Sequence, residues 1–176
     1  MVGTKLNDEI TKYLGIPYFT NKGKYQNSGE NVFVGKGSAR EIALATIDLA
    51  NQQNIKLLNL SASQIHNFQQ KNHLGIDCSG LVCHLLDLNV NVRRTSADML
   101  TSPPLAQPVN QPQTGDLIRQ KDGGHVLLVL SINKNIITYI HSSRATHGVV
   151  VESKNITLIP HQGIWRITSP QLAHDK

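Results

Sequence analysis

The chain has 176 residues and a mass of 19.4 kDa, enough for one domain that buries about 70 % of its unfolded surface without disulfide or metal staples. A hydrophobic fraction of 39 %, with clear apolar runs, excludes intrinsic disorder, and no apolar stretch reaches the roughly 18 residues of a membrane span. The balance of 17 basic to 12 acidic residues gives a formal charge of +5 and favours anionic partners, but apart from Arg93-Arg94 the basic residues are scattered, so no nucleic-acid-binding face is expected.

Met1 to Leu14 is polar and amphipathic instead of charged and then apolar. The location expected from it is cytoplasmic if Met1 is the native start, and cell wall or secreted if a signal has been removed. Asn7 or Asp8 can cap a short helix with Ile10, Tyr13 and Leu14 on one face, closed by Gly15 and Pro17. Ile16 to Phe19 reads as extended, and Thr20 to Lys36, rich in Gly, Asn and Lys, as a long loop with one short strand at Asn31 to Val34. Ser38 and Glu41 form a capping box that predicts a helix from about Ala39 to Gln53, with Ile42, Ala45, Thr46 and Leu49 on its apolar face. A second helix is predicted from about Ser61 to Lys71, with Ile65 and Phe68 at helical spacing.

From Gly75 the character changes. Asp77-Cys78-Ser79-Gly80 precedes a helical apolar run with Leu81, Val82, Leu85 and Leu86. Asn89 to Gln113 is a polar, Pro-rich connection with room for one helical turn at Ser96 to Thr101. Strands follow at Gly115 to Arg119, His125 to Ile132, Ile136 to Ser142, His147 to Glu152 and Ile164 to Ile167, with Asn133-Lys134-Asn135 as a hairpin loop. Helices first and an antiparallel meander second predict an α+β domain with the helices packed on one face of a five- to six-stranded antiparallel sheet.

Chemistry concentrates where these halves meet. Cys78 starts a helix, where unpaired N–H groups and partial positive charge favour thiolate over thiol and where its own N–H can meet an oxyanion. His125 opens a strand after Gly123-Gly124 and is the candidate base; His141 ends the next strand and can orient it. His147 takes that place if the strand register differs. Cys83, five positions from Cys78 across the helix, reads as a buried small residue, so neither a disulfide nor a zinc site is expected. The thiol usage suits a reducing compartment or a free catalytic cysteine. His66, His73, His84, His161 and His174 read as structural, and Asp116 as a turn residue.

In combination, Tyr18 in Gly-Ile-Pro-Tyr, Asp77-Cys-Ser-Gly-Leu-Val82, Gly115-Asp-Leu-Ile118, Gly124-His-Val126, His141-Ser-Ser and Gly148-Val-Val150 resemble the NlpC family of papain-like cell-wall cysteine endopeptidases. The resemblance covers Asp8 to Tyr18 and Gly75 to Ile167. It implies a papain-like NlpC-type fold with Cys78 as nucleophile, His125 as base and His141 as the orienting third residue. It also implies that Tyr18 supports the thiolate or oxyanion and that Asp77 and Ser79 contact the amino end of the substrate. The implied substrate is a peptidoglycan stem peptide, cut after γ-linked D-glutamate through an acyl-enzyme, with no metal or organic cofactor and no obligate protein partner.

The chain departs from the family in two places. Residues 19–76 form a helical insertion between tyrosine and cysteine within an otherwise single domain, 1–176, and suggest a lid that reshapes substrate selection. Leu127-Leu128 stands where the family has Gly-Ile, and the hairpin between the histidines is longer than usual. Three functions follow: a peptidoglycan endopeptidase, a papain-like amidase or deamidase acting on a protein or small amide, and a non-catalytic binding module, which the intact Cys78, His125 and His141 argue against.

Overall fold

Two of the helices begin at reciprocal caps written into the local sequence. The computed structural model describes residues 2–20, 30–122 and 124–168, without the side chains of 2–5. Helix α2, Ala39–Gln52, starts where Ser38 Oγ accepts from the Glu41 N–H and the Glu41 carboxylate accepts from the Ser38 N–H at 2.6 Å. Helix α3, Ala62–Lys71, repeats the device with Ser61 and Gln64. Ile42, Thr46 and Ala50 turn inward from α2 and Phe68 from α3; of the residues expected on these faces Ala45, Leu49 and Ile65 are only partly buried, and Ala50 joins them.

Helix α1, Val2–Tyr13, differs from expectation. It begins before Asn7 instead of being capped there, and Leu14 is 48 % exposed while Ile10 and Tyr13 are buried. Leu14 already lies beyond the last helical residue, so helical spacing no longer places it on the buried face. Residues 31–34 form a 3-10 turn ending at Gly35 in the left-handed region, not a strand; Val32 and Val34 are buried as alternation would require, but among the described residues no strand pairs with them. Most of the long loop expected from Thr20 to Lys36, residues 21–29, lies outside the described residues.

The described residues fall into two compact units, one containing the chain up to Asp77 with Ser142–Val149, the other Cys78–His141 with the chain from Val150 onward. The second unit begins with helix α4, Cys78–Leu85, and a one-turn helix α5, Ala97–Leu100, capped by Ser96. The strands are β1 Ala106–Val109, β2 Leu117–Gln120, β3 Val126–Asn133, β4 Ile136–Ser143, β5 Gly148–Asn155 and β6 His161–Ile167. They form one sheet in the order β1-β6-β2-β3-β4-β5. Only β2 to β5 is the expected meander: β6 crosses back to pair with β2, and β1 then pairs antiparallel with β6. β1 contains Pro108, which suits an edge strand and hid it in the sequence. The hairpin loop is two residues, Lys134 and Asn135, with Lys134 at φ 56°, because Asn133 and Ile136 already pair.

Val126 to Val129 are all 0 % exposed, so β3 is covered on both faces. Leu127 and Val129 join Ile118, Ile137, Tyr139, Ile159 and Ile164 in a core cluster, and α4 packs against the same strand. Asp116, expected as a turn residue, accepts from the Gln113 N–H and also holds Arg166 through two hydrogen bonds. Among the described residues no helix is long and apolar enough to cross a membrane.

Candidate active site

Cys78 is the first residue of α4, as its sequence context predicts. Its side chain is buried, 6 % exposed, and Sγ lies 4.0 Å from the carbonyl oxygen of Gly124, the residue before His125. The helix is short but firmly seated: Leu81, Val82, Cys83 and Leu85 are all buried. A first-turn thiol meets the unpaired N–H groups and positive end of the helix dipole, an environment that favours the thiolate. Cys83 is a free, buried cysteine inside the helix, as expected.

His125 and His141 meet directly, with His125 Nε2 and His141 Nδ1 at 2.8 Å. On its other side His141 Nε2 reaches Glu152 Oε2 at 2.9 Å, and the Tyr139 hydroxyl donates to the same oxygen at 3.1 Å. Three side chains from β3's mouth, β4 and β5 thus form a hydrogen-bonded file, His125–His141–Glu152. Burial pushes the His125 imidazole down to about 4, helped by repulsion from His141 and opposed by Asp122. Burial also lowers His141, against the pull of Glu152. Tyr139 is pushed up to about 12 by burial and by the Glu152 carboxylate, so its phenol stays a donor. Both imidazoles are therefore neutral at pH 7, and a neutral imidazole has a lone pair available to accept a proton.

The segment leading to Cys78 is laced by backbone bonds. Ile76 N–H donates to Pro17 O at 3.0 Å, Asp77 N–H to Gly35 O at 2.9 Å, and the buried Ser142 hydroxyl to Ile76 O at 2.6 Å. Gly75 must be glycine here, because a Cβ would overlap the Pro17 carbonyl oxygen. The Asp77 carboxylate pairs with Lys36 Nζ at 2.9 Å, both side chains being nearly buried. Ser79 is buried in the first turn of α4. Tyr18 bridges to Ile76 and lines a cavity of about 200 Å³ with Phe19, Thr20, Gln70, Arg144 and His147. His147 occupies the turn before β5 with left-handed φ of 59°, whereas His141 makes the bond to His125. Among the described residues no three His, Cys, Asp or Glu side chains converge to hold a metal ion.

Residues 64–163, more than half of the chain, match the NlpC/P60 family. The chain belongs to that family. The matched span contains Cys78, His125, His141 and Glu152 and leaves Tyr18 and most of the segment 19–76 outside. Among solved structures, the peptidoglycan hydrolase RipB from Mycobacterium tuberculosis is 20 % identical with a TM-score of 0.47, over 96 % of this chain and 66 % of that one, so this chain spans just under two thirds of it. Comparison with curated proteins gives no match.

Within this NlpC/P60 domain, sequence reasoning missed Glu152, Tyr139 and Lys36. Tyr139 stands two residues before His141 and shares its strand face, a signal that alternation alone could have raised. Glu152 and Lys36 left none, since each meets its partner through chain pairings that no short motif encodes.

Proposed function

We propose that this NlpC/P60 chain is a cysteine hydrolase that cleaves an amide bond through an acyl-enzyme on Cys78, with the γ-D-glutamyl–diamino acid bond of peptidoglycan stem peptides as its substrate. His125 takes the thiol proton, and the thiolate attacks the carbonyl carbon. The oxyanion meets the Cys78 main-chain N–H at the start of α4, with the Tyr18 hydroxyl in support. On collapse of the tetrahedral intermediate His125 returns the proton to the departing amine, and water then hydrolyses the thioester by the same route in reverse. His141 orients His125, and Ser79 contacts the substrate's amino end. The chain acts as one catalytic domain, with residues 19–76 shaping substrate selection.

The observation that carries this reading is the neutral imidazole pair hydrogen-bonded at 2.8 Å, in a chain whose match to the family includes both histidines and the cysteine. A base with a lone pair and a fixed orientation is what amide cleavage by a thiol requires.

One observation favours a second reading, an amidase or deamidase acting on a protein or small amide: the Asp77 carboxylate, expected to meet the substrate's amino end, is paired with Lys36. The deciding experiment incubates purified muropeptides with wild type and Cys78→Ala and follows the products by mass spectrometry. Cleavage after γ-D-glutamate, lost in the variant, is the expected result. An intact substrate beside a Cys78 that still labels with a thiol probe at neutral pH overturns it in favour of the second reading.

A further inference from the structure

Glu152 belongs to none of the motifs that mark the site, and its side chain is 46 % exposed on β5, an edge strand. Yet its Oε2 accepts from two buried side chains, Tyr139 at 3.1 Å and His141 at 2.9 Å. Tyr139 and His141 are two residues apart on β4 and so share a face, and a residue on the adjacent strand can reach both. We infer that Glu152 is a positioning residue that selects the tautomers of His141 and His125 and offsets the positive charge they acquire during reaction. The inference rests on reading Cys78 as nucleophile and His125 as base.

The argument is one of donors and acceptors. An ionised carboxylate only accepts, so the bond at 2.9 Å requires the proton of His141 on Nε2. A neutral imidazole has a single N–H, which leaves His141 Nδ1 as a lone pair. The 2.8 Å bond to His125 then requires His125 to donate from Nε2, and its own Nδ1 becomes the free base. Every proton position in the file follows from the charge at its far end. Without Glu152, His141 can carry its proton on Nδ1 and donate to His125 Nε2; the His125 proton moves to Nδ1, and the lone pair that should receive the thiol proton is gone.

The charge balance agrees. When His125 Nδ1 takes the proton of Cys78, the thiolate gains one negative charge and the imidazole one positive charge, and no proton leaves the site. That cation forms in a buried place, and Glu152 is the carboxylate hydrogen-bonded along the file. Among the described residues, Tyr139 from β4, which stays a neutral phenol, also bonds to Glu152, and Asp122 in the turn after β2 acts on His125 through space.

The test uses the full chain carrying Cys83→Ala, so that iodoacetamide reports on Cys78, with the site checked by mass spectrometry. Alkylation rates are followed against pH for the parent, Glu152→Leu and Glu152→Gln, and imidazole tautomers are read from long-range ¹H–¹⁵N spectra. The expected result for Glu152→Leu is at least about tenfold slower alkylation at pH 7, the scale seen when an outer hydrogen-bond partner of a functional histidine is lost. Its rate–pH profile should also move up by about one pH unit as the compensating charge disappears, and a protonated Nδ1 should appear on His125. Glu152→Gln, nearly isosteric and able to accept the same bond, should keep the tautomers but share the upward move; it decides the question if the leucine variant does not fold.

Parental rate, profile and tautomers in Glu152→Leu overturn the inference and leave the Cys78–His125 reading standing. A parent whose Cys78 titrates like an ordinary thiol, near 8.5, overturns that reading instead. In that event the tautomer spectra alone still decide what Glu152 does.

Discussion

Two buried polar arrangements of this molecule solve the same problem in opposite ways. Lys36 and Asp77 form an ion pair with both partners nearly sealed from water, at 8 % and 12 % side-chain exposure. The file His125–His141–Glu152 keeps its inner members uncharged and places its charge on Glu152, where nearly half the side chain meets solvent. Burying two full charges is costly and becomes tolerable only when each satisfies the other, so such a pair holds one arrangement of backbone and resists change. Neutral imidazoles in a row are cheap to bury and can take up a proton when the reaction supplies one. The first arrangement secures the segment before Cys78; the second, in the proposed mechanism, manages protons.

The largest expected effect lies in the file. On the proposed reading of His125 as base, His125→Ala should lower the rate of muropeptide cleavage by about three orders of magnitude or more, the scale of losing the base of a nucleophile–base pair. Stability at pH 7 should change far less, which separate melting and rate measurements will show. The ion pair should behave in reverse. Lys36→Met takes the cation away from the nearly buried Asp77 carboxylate and should cost about 3–5 kcal/mol in urea unfolding. The double variant Lys36→Met/Asp77→Leu should recover most of that loss; a double variant as unstable as the single would show that the damage is packing and not the loss of the neutralising cation.

Acid should separate the two regions next. The folded His125 value, pushed from 6.5 to about 4, means that between these pH values the unfolded chain binds a proton that the folded chain refuses. Stability contributed in this way is complete above 6.5 and falls as pH drops through the window, by at most about 3 kcal/mol. His141 acts in the same direction. Melting temperatures at pH 7 and pH 4.5 should therefore diverge in the wild type and diverge less in His125→Ala. The smallest effect concerns the segment beside the ion pair: Ser142→Ala removes the shorter of two bonds to the Ile76 carbonyl, 2.6 Å from the hydroxyl against 3.4 Å from the Phe19 N–H, and should cost about 1 kcal/mol by chemical denaturation.

Much of the architecture was legible because it is local. Ser38 with Glu41, the apolar spacing of α2 and α3, and the β-branched runs of β2 to β5 are decided within a few residues, and the structure follows them within one to three positions. The readings that failed depended on neighbours. Residues 31–34 had strand composition but, with no strand pairing to them among the described residues, form a 3-10 turn. β1 lacked strand composition at Pro108 yet found an unpaired edge on β6. Cys78 at a helix start and His125 at a strand mouth were visible as motif and placement, whereas the bond between His125 and His141 follows from how β3 and β4 pair.

By itself the sequence determined the starts of α2 to α5, the alternation of the strands, the family and the order of cysteine and histidines along the chain. Only the tertiary structure decided that β6 returns to β2, that Lys36 meets Asp77 across 41 residues, that Ser142 meets Ile76 across 66, and that Glu152 closes the histidine file. The reason is range. A cap or an apolar period is settled by atoms one turn or one strand away, while these bonds need two distant segments brought together at one register, and on β4 or β5 a slip of a single residue would turn His141 or Glu152 to the other face of the sheet.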